Sequence, residues 1–320
     1  MAFDIGLLNS RSFDIPIIAV GNLNVGGTGK SPMIEYLIRL FNESCHTAVL
    51  SRGYGRKTKG FLMATSDSTA VDLGDEPFQF YRKFKNLDVA VDEKRVRGIE
   101  TLQQIKPDLD LVLLDDAFQH RYVKAGKYIL LTAYDDLYID DFMLPTGNLR
   151  EPINGADRAD LILVSKCPSN LSETIRMDIL KRIDPKTHQK VFFSSIEYDN
   201  YIYSGDGKIA LDELSTYKIL LVTGIANSKP LVEFLQNNRL DIEHIEFADH
   251  QFINADQQKK IALKFNKMNG ERKLILTTEK DYVRSFLKVE LPVYYLPIKM
   301  SILGGNQKFN EIIHNYVRKN

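Results

Sequence analysis

GNLNVGGTGKSP, residues 21–32, decides how the rest of the chain is read. The apolar run Ile15 to Val20 precedes it and has the character of a buried strand. Met33 to Phe41 follows, with Ile34, Leu37, Ile38 and Phe41 at helical spacing. Strand, glycine-rich turn, Lys-Ser and helix in that order make a P-loop. Gly26, Gly27 and Gly29 let backbone N–H groups turn inward round a phosphate. The helix start adds the positive end of its dipole, and Pro32 falls in the first turn, where a missing N–H costs nothing. The expected nucleotide contacts are Asn24, Val25, Gly26, Gly27, Thr28, Gly29, Lys30 and Ser31. Lys30 reaches the β and γ phosphates of ATP, and Ser31 offers its hydroxyl to Mg²⁺. The usual motif has glycine where this chain has Asn24. Asn is the next best residue at positive φ, so a left-handed residue is expected there.

Composition narrows what such a loop can serve. The 320 residues are 44% hydrophobic and 26% charged, an ordinary globular balance for one large or two smaller domains. The formal net charge is zero, so no global field favours nucleic acid. The two cysteines, Cys45 and Cys167, make neither a disulfide framework nor a zinc spacing and fit a reducing cytoplasm. No apolar run approaches the ~18 residues of a membrane span, and Met1 to Arg11 has no signal-peptide pattern.

Along the chain, strands and helices alternate. Thr47–Ser51 reads as a strand running into SRGYGRKTKGF, residues 51–61. A loop at a strand's C-terminal end is where open α/β sheets bind ligands. It is either an anion clamp of Arg52, Arg56, Lys57 and Lys59 with Tyr54 as a flat contact, or a solvated basic loop. Gly74-Asp75-Glu76-Pro77 starts a helix; its acids either cap that helix or face the phosphates as a carboxylate pair. Leu87–Val91 is a strand and Asp92–Ile105 a helix carrying Arg95 and Arg97. Leu111–Leu114 ends in Asp115-Asp116, the pattern of a Walker B strand whose terminal Asp serves Mg²⁺. The proline-flanked loop MLPTGNLREP, residues 143–152, presents Arg150 and Glu151. The turn-rich stretch Tyr198–Lys208, with its Asp206-Gly207 hairpin signal, marks a boundary. The expected architecture is α/β, with a P-loop NTPase-type α/β/α domain at 1–200 and a smaller α/β/α domain at 201–320, whose final helix can return to the core. Val293–Ile298 reads as the last strand.

Several P-loop classes are set aside by their missing parts. A guanine-specific switch needs an Asp that Ser165-Lys166-Cys167-Pro168 lacks. A partition-type ATPase needs a lysine where Val25 stands. A kinase acting on a small or amphiphilic acceptor remains, with an NTPase coupled to a protein partner as the alternative.

GNLNVGGTGKSP, SRGYGRK, GDEP, LDDAFQH, LPTGNLREP, VTGIAN, FADHQF and LTTEKD, in that order, resemble the tetraacyldisaccharide 4′-kinase family, from about Phe13 to Asp281. The resemblance implies ATP- and Mg²⁺-dependent phosphorylation of the 4′-hydroxyl of a lipid disaccharide 1-phosphate in lipid A biosynthesis. The implied location is peripheral, at the inner face of the inner membrane, with no nucleic acid involved. It implies Asp75 as catalytic base with His250 as its partner, and Lys30 and Ser31 on phosphate and metal. Asp116 and Glu151 become metal-site residues, with Tyr54, Glu76, Arg95, Asp115, Gln119, His120 and Arg150 in support. The choice of Arg95 over Arg97 follows spacing. Members of that family usually open with an apolar anchoring helix, whereas MAFDIGLLNSRSFDIP leads almost directly to the first strand. Membrane contact is therefore expected from Phe3, Ile5, Leu7 and Leu8 and from the basic groups Arg56, Lys57 and Lys59.

Overall fold

The computed structural model describes Phe3 and residues 7–205, 207–287 and 289–319; Ile5 and Asp206 lie outside the described residues. In chain order the elements are β1 (Ile17–Asn22), α1 (Lys30–Phe41), β2 (Thr47–Ser51), β3 (Leu62–Met63), α2 (Ala70–Leu73), α3 (Asp75–Lys83), β4 (Leu87–Val91), α4 (Arg95–Ile105), β5 (Leu111–Leu114), β6 (Lys127–Ala133), β7 (Leu161–Ser165), α5 (Glu173–Ile183) and β8 (Lys190–Tyr198). Then come β9 (Tyr201–Ser204), β10 (Gly207–Ala210), β11 (Lys218–Thr223), α6 (Lys229–Asn237), β12 (Asp241–Glu246), α7 (Ala255–Lys267), β13 (Lys273–Thr278), α8 (Glu279–Asp281), β14 (Val293–Leu296), β15 (Ile298–Ile302) and α9 (Asn306–Arg318).

Two compact units result, Met1–Glu197 with Lys299–Asn320, and Tyr198–Ile298. The first holds a nine-stranded sheet in the order β15-β8-β7-β6-β1-β5-β2-β4-β3. The pairs from β4 through β2, β5, β1, β6 and β7 to β8 are parallel, and only β3 against β4 is antiparallel among the registered pairs. Such strands must be apolar on both faces, and β1 shows how. Ile18 and Val20 pack with Ile34, Leu37, Ile38 and Phe41 of α1 and with Phe309 and Ile313 of α9. Ile17 and Ala19 turn the other way, towards Ile99 and Leu102 of α4. Because β1 is flanked by β5 and β6, the crossovers leave it in opposite directions. In such sheets ligands bind beyond the C-terminal end of the strand at the switch point, and the P-loop begins there.

The second unit is a six-stranded sheet, β10-β9-β14-β13-β11-β12, parallel from β12 to β14 and closed by antiparallel β9 and β10. Ile219 and Leu221 face Leu231 and Leu235 of α6; Leu220 and Val222 face Ile261 and Phe265 of α7. Its extent corrects the 201–320 expectation. The run Val293–Ile298 is not one strand: Pro297, which has no N–H to donate, separates β14 from β15. From Lys299 onward the chain belongs to the first unit, where β15 pairs with β8 and α9 covers α1. Among the described residues no helix is long and apolar enough to cross a membrane.

Candidate active site

The P-loop lies between the end of β1 and the start of α1. Gly29 is the N-cap of α1 and has φ 85°, ψ 26°, a left-handed conformation that glycine adopts without strain. The carbonyl of Thr28 is held by the Ser165 hydroxyl at 2.7 Å. Asn24 differs from expectation. The non-glycine residues with positive φ among those described are Asp116, Lys166, Asp184, Arg239 and His250. Asn24 instead forms an antiparallel bridge with Leu149, and its side-chain amide donates to Asp141 Oδ2 at 2.9 Å. It replaces the motif's glycine by pairing this segment with loop 142–149, so no left-handed residue is needed.

Asn22, at the last position of β1, is the hub of the site. Its Oδ1 accepts from Lys30 Nζ at 3.2 Å and from the Arg150 guanidinium. Its carbonyl accepts from Arg150 at 3.2 Å and from Gln119 Nε2 at 2.7 Å, and its amide donates to the Asn24 carbonyl at 2.8 Å. Arg150 also holds both oxygens of Asp116, at 3.1 and 3.4 Å, and Lys30 Nζ stands 3.7 Å from Asp116 Oδ1. Lys30 and Arg150 together keep the Asp116 carboxyl below the usual carboxylate range, although burial works against them. Asp116, two residues past the apolar end of β5, has φ 45°, uncommon for a non-glycine residue; residues in such conformations concentrate at functional sites.

Asp115 points into the protein and accepts from the Ser51 hydroxyl at 3.0 Å. Burial and the nearby charges of Asp116 and Glu76 push its carboxyl up to about 6, against the opposing pull of Lys30 and Ser51. Arg95 is buried, donating to the carbonyls of Asp92 at 2.9 Å and Asp115 at 3.4 Å. Burial draws it down to about 10 despite the neighbouring acids. Burial and the positive charges of Arg95 and Arg52 draw His120 down to about 4, so its ring is neutral at pH 7. Arg97 is committed elsewhere, gripping both oxygens of Asp92 at 2.8 and 2.7 Å. Spacing had favoured Arg95, and the geometry puts it beside Asp115.

Glu151 is enclosed. Arg158 Nη2 reaches both its oxygens at 2.8 Å, Gln119 donates to Oε1 at 2.9 Å, and the Arg158 guanidinium lies 4.7 Å from the Phe118 ring centroid. Arg56 is corrected out of the anion clamp: its head pairs with Glu93 at 3.0 Å and the Gly60 carbonyl at 2.7 Å, with the side chain 3% exposed. Arg52, Lys57 and Lys59 are exposed on the same loop, as is Tyr54. That loop meets α3 at Gly74 (φ 92°), where a Cβ would stand 2.8 Å from the Tyr54 carbonyl oxygen. Only glycine fits, and it sets Asp75 and Glu76 in the first turn of α3.

In the second unit three loops at the C-terminal ends of parallel strands converge. Asp281 Oδ2 accepts from Gly224 N at 2.9 Å and from the Thr278 hydroxyl at 2.7 Å. Arg284 donates to Asp281 Oδ1 at 3.1 Å, the Gly224 carbonyl at 3.3 Å and His250 Nδ1 at 3.3 Å. His250 has φ 57°, its N–H bonded to the Gly224 carbonyl at 3.1 Å. A guanidinium only donates, so Nδ1 accepts and the neutral ring carries its proton on Nε2.

Asn22, Ser51, Arg158, Asp281 and Arg284 were not anticipated. Asn22, Ser51 and Asp281 lie within GNLNVGGTGKSP, SRGYGRK and LTTEKD, while Arg158 and Arg284 carry no local signal, because their partners are distant in sequence or depend on a turn.

A family model for tetraacyldisaccharide-1-P 4′-kinase matches residues 1–318. The tetraacyldisaccharide 4′-kinase of Flavobacterium johnsoniae is 51% identical over 99% of this chain and 92% of its own length; that of Bacteroides thetaiotaomicron is 46% identical over 99% and 88%. Among solved structures, the apo form of LpxK from Aquifex aeolicus in complex with ATP superposes with a TM-score of 0.78 at 26% identity, covering 99% of this chain and 93% of that one. A match of this extent, on a chain whose phosphate loop and Asp115-Asp116 turn meet at one sheet edge, shows that the protein belongs to the tetraacyldisaccharide-1-P 4′-kinase family.

Proposed function

We propose that this chain transfers the γ-phosphoryl group of ATP to the 4′-hydroxyl of a tetraacyldisaccharide 1-phosphate, the phosphorylation that family membership implies for lipid A biosynthesis. The observation that carries the reading is the meeting of Lys30 and Arg150 on Asn22, both of them also facing Asp116, at the mouth of the P-loop. The acceptor oxygen bonds to the γ-phosphorus as the bond from that phosphorus to the β–γ bridging oxygen breaks. ADP leaves, and the hydroxyl proton passes to a carboxylate. Lys30 and the N–H groups of the loop hold the phosphates and offset their charge. Because the acceptor is a lipid, the reaction is read as occurring at the inner face of the inner membrane.

The donor set at the P-loop suits Mg²⁺, which keeps several waters and needs few protein oxygens. Burial first, and then Asp116 and Glu76, raise the Asp115 carboxyl to about 6, so added positive charge at the mouth of the P-loop would favour its ionised form. Ser31 and Asp116 would hold the ion, which when bound neutralises charge on the β and γ phosphates. Glu151 would join them only on releasing an oxygen from Arg158 or Gln119, as Asp116 must from Arg150, and it also positions Gln119 against Asn22.

Asp75 is the proposed base and His250 its partner. With Nδ1 accepting from Arg284, His250 carries its proton on Nε2, which lies 3.9 Å from Asp249 Oδ1. That suits a ring that orients Asp75 rather than one that takes its proton. Asp75→Ala should lower turnover by roughly 10²–10⁴ with ATP affinity kept, and His250→Ala should lower it less. The double variant should lose less than the product of the single losses; fully multiplicative losses would separate the two residues. The function itself is tested with labelled ATP and purified acceptor. Label moving to lipid supports it, and phosphate release that ignores the acceptor would replace it with an NTPase coupled to a protein partner.

A further inference from the structure

Next to the P-loop the surface carries an uncharged, exposed run, Phe142-Met143-Leu144-Pro145-Thr146. Phe142 is 70% exposed, Met143 42% and Leu144 53%. Single exposed apolar residues are normal; three large ones in succession are an error in a soluble surface unless they have a use. The segment is also tightly built. Asp141 Oδ1 accepts from Phe142 N at 2.8 Å and Asn148 N at 3.0 Å, and its other oxygen accepts from Asn24. Leu149 N donates to the Phe142 carbonyl at 2.9 Å and Leu144 N to the Leu149 carbonyl at 3.0 Å, while Leu149 itself is buried. A pre-ordered tip loses little conformational freedom on binding. The tip is continuous with the nucleotide site: Val25 N donates to the Asn148 carbonyl at 2.7 Å, and the exposed Val25 extends the apolar surface.

We propose that residues 142–146 insert into the acyl-chain layer of the lipid surface that presents the acceptor, setting the P-loop at a fixed depth beside the headgroups; this rests on the kinase reading above. The size of the patch favours lipid over a second copy of the chain. One aromatic ring covers roughly 150–250 Å², so ring, thioether and Leu together fall short of the ~800 Å² per partner of a stable protein interface. Its charge favours chains over anionic headgroups, because Asp135, Asp136, Asp140 and Asp141 flank it on the amino-terminal side.

The chain has no tryptophan, so Phe142→Trp introduces a single indole as a probe. With vesicles of phosphatidylcholine its emission should shift to the blue and be quenched when the acyl chains are brominated, and added salt should leave both effects intact. Phe142→Ser/Met143→Ser/Leu144→Ser should weaken co-sedimentation with those vesicles at least tenfold and raise the KM for vesicle-borne acceptor by a similar factor, with the Kd for ATP unchanged. An indole that stays in water, or a triple variant that sediments as the parent does, overturns the inference. So does self-association of the parent that the triple variant loses without any bromolipid quenching, since the occupant is then a second copy. Insertion of the indole in a protein that transfers no phosphate to lipid would remove the kinase reading and leave the insertion standing. Transfer with an indole in water would do the reverse.

Discussion

Glu35→Ala is the perturbation whose outcome the structure fixes most closely. Glu35 sits on α1 with its side chain 3% exposed. One oxygen takes Arg39 at 2.7 Å and Lys83 at 2.8 Å, and the other takes Gln79 Nε2 at 2.8 Å. Gln79 and Lys83 belong to α3, so this carboxylate ties together the helix that begins with Lys30 and the helix that begins with Asp75. Removing one member of a buried charged cluster costs about 3–5 kcal/mol, because the charges it balanced stay largely out of water. Arg39 is one-third exposed and can turn to water, which puts the expected loss near the lower end, about 3 kcal/mol. In a unit of roughly 200 residues each kcal/mol moves Tm by about 2–4 °C, so a fall of about 6–12 °C is expected by scanning calorimetry. Turnover, measured well below the new Tm, should fall while ATP affinity stays near that of the parent, since the P-loop keeps Asn22, Thr28 and their contacts. Glu35→Leu/Gln79→Leu/Lys83→Met separates the two effects. An apolar replacement of the whole cluster should recover most of the stability without restoring turnover, if the cluster sets the position of Asp75. A Glu35→Ala protein within about 1 kcal/mol of the parent would refute the reasoning, and would mean that apolar packing round Phe80 alone holds α3 to α1.

Lys30→Ala should lower turnover by about 10²-fold or more, the usual loss when one charge aimed at the transferred group is removed, and should cost at most about 1 kcal/mol of stability, since Asn22 and Asp116 keep Arg150; normal turnover would remove the phosphate role of the loop. Asn24→Gly restores the common motif yet should destabilise by about 1–2 kcal/mol in urea unfolding, because it deletes the bond to Asp141 and relieves no left-handed strain; a more stable variant would contradict this. His46 bridges Asp88 at 2.8 Å and Asp108 at 3.1 Å, with Lys106 on Asp88 and Asp110 on the His46 N–H. Burial works to lower its pKa, but the bonds to both carboxylates and their charges outweigh it and hold it above 6.5. The stabilisation from the charged ring is therefore complete below 6.5 and lost as pH rises through the higher folded value. The urea midpoint of the parent relative to His46→Asn should shrink across that rise by the equivalent of no more than about 1 kcal/mol, and a difference constant with pH would show that the ring is not the titrating group.

The parallel core was legible because burial on both faces leaves continuous apolar runs. Leu111–Leu114 and Thr47–Ser51 are found as strands with the expected bounds. The end of the second unit was not, because Val293–Ile298 is equally apolar on either side of Pro297, and only pairing with β8 or β13 assigns each half to its sheet. In the site, residue type pointed to Lys30, Asp115, Asp116 and Arg150, but type does not reveal partners. Arg56 looked like a free cation beside Lys57 and Lys59 until Glu93 closed on it. Asn24 looked like a substitute for glycine because a single sequence shows the residue and hides the neighbouring loop that pairs with it.

Pairing with arginine also fixes several acids at the sheet edge. Asp92 is held by Arg97, Asp116 by Arg150 and Glu151 by Arg158, each through both oxygens. Arg97 and Arg150 do so as two-nitrogen guanidinium forks, which fix orientation as well as charge, and Arg158 through Nη2 alone. Each pair fastens a loop to the sheet edge: the start of α4, the turn after β5, and the segment that follows loop 142–149. Asp115 departs from this pattern. Its carboxylate accepts from the Ser51 hydroxyl, and Arg95 reaches only its backbone carbonyl. A buried carboxylate next to Asp116 and within the field of Glu76 is costly to keep ionised. That cost falls when cationic charge arrives with the nucleotide, so the site gains most from ligands that bring positive charge to the mouth of the P-loop. The arginine pairs fasten the edge before binding, and Asp115, held by the Ser51 hydroxyl, sits where the charge of the bound state must be balanced.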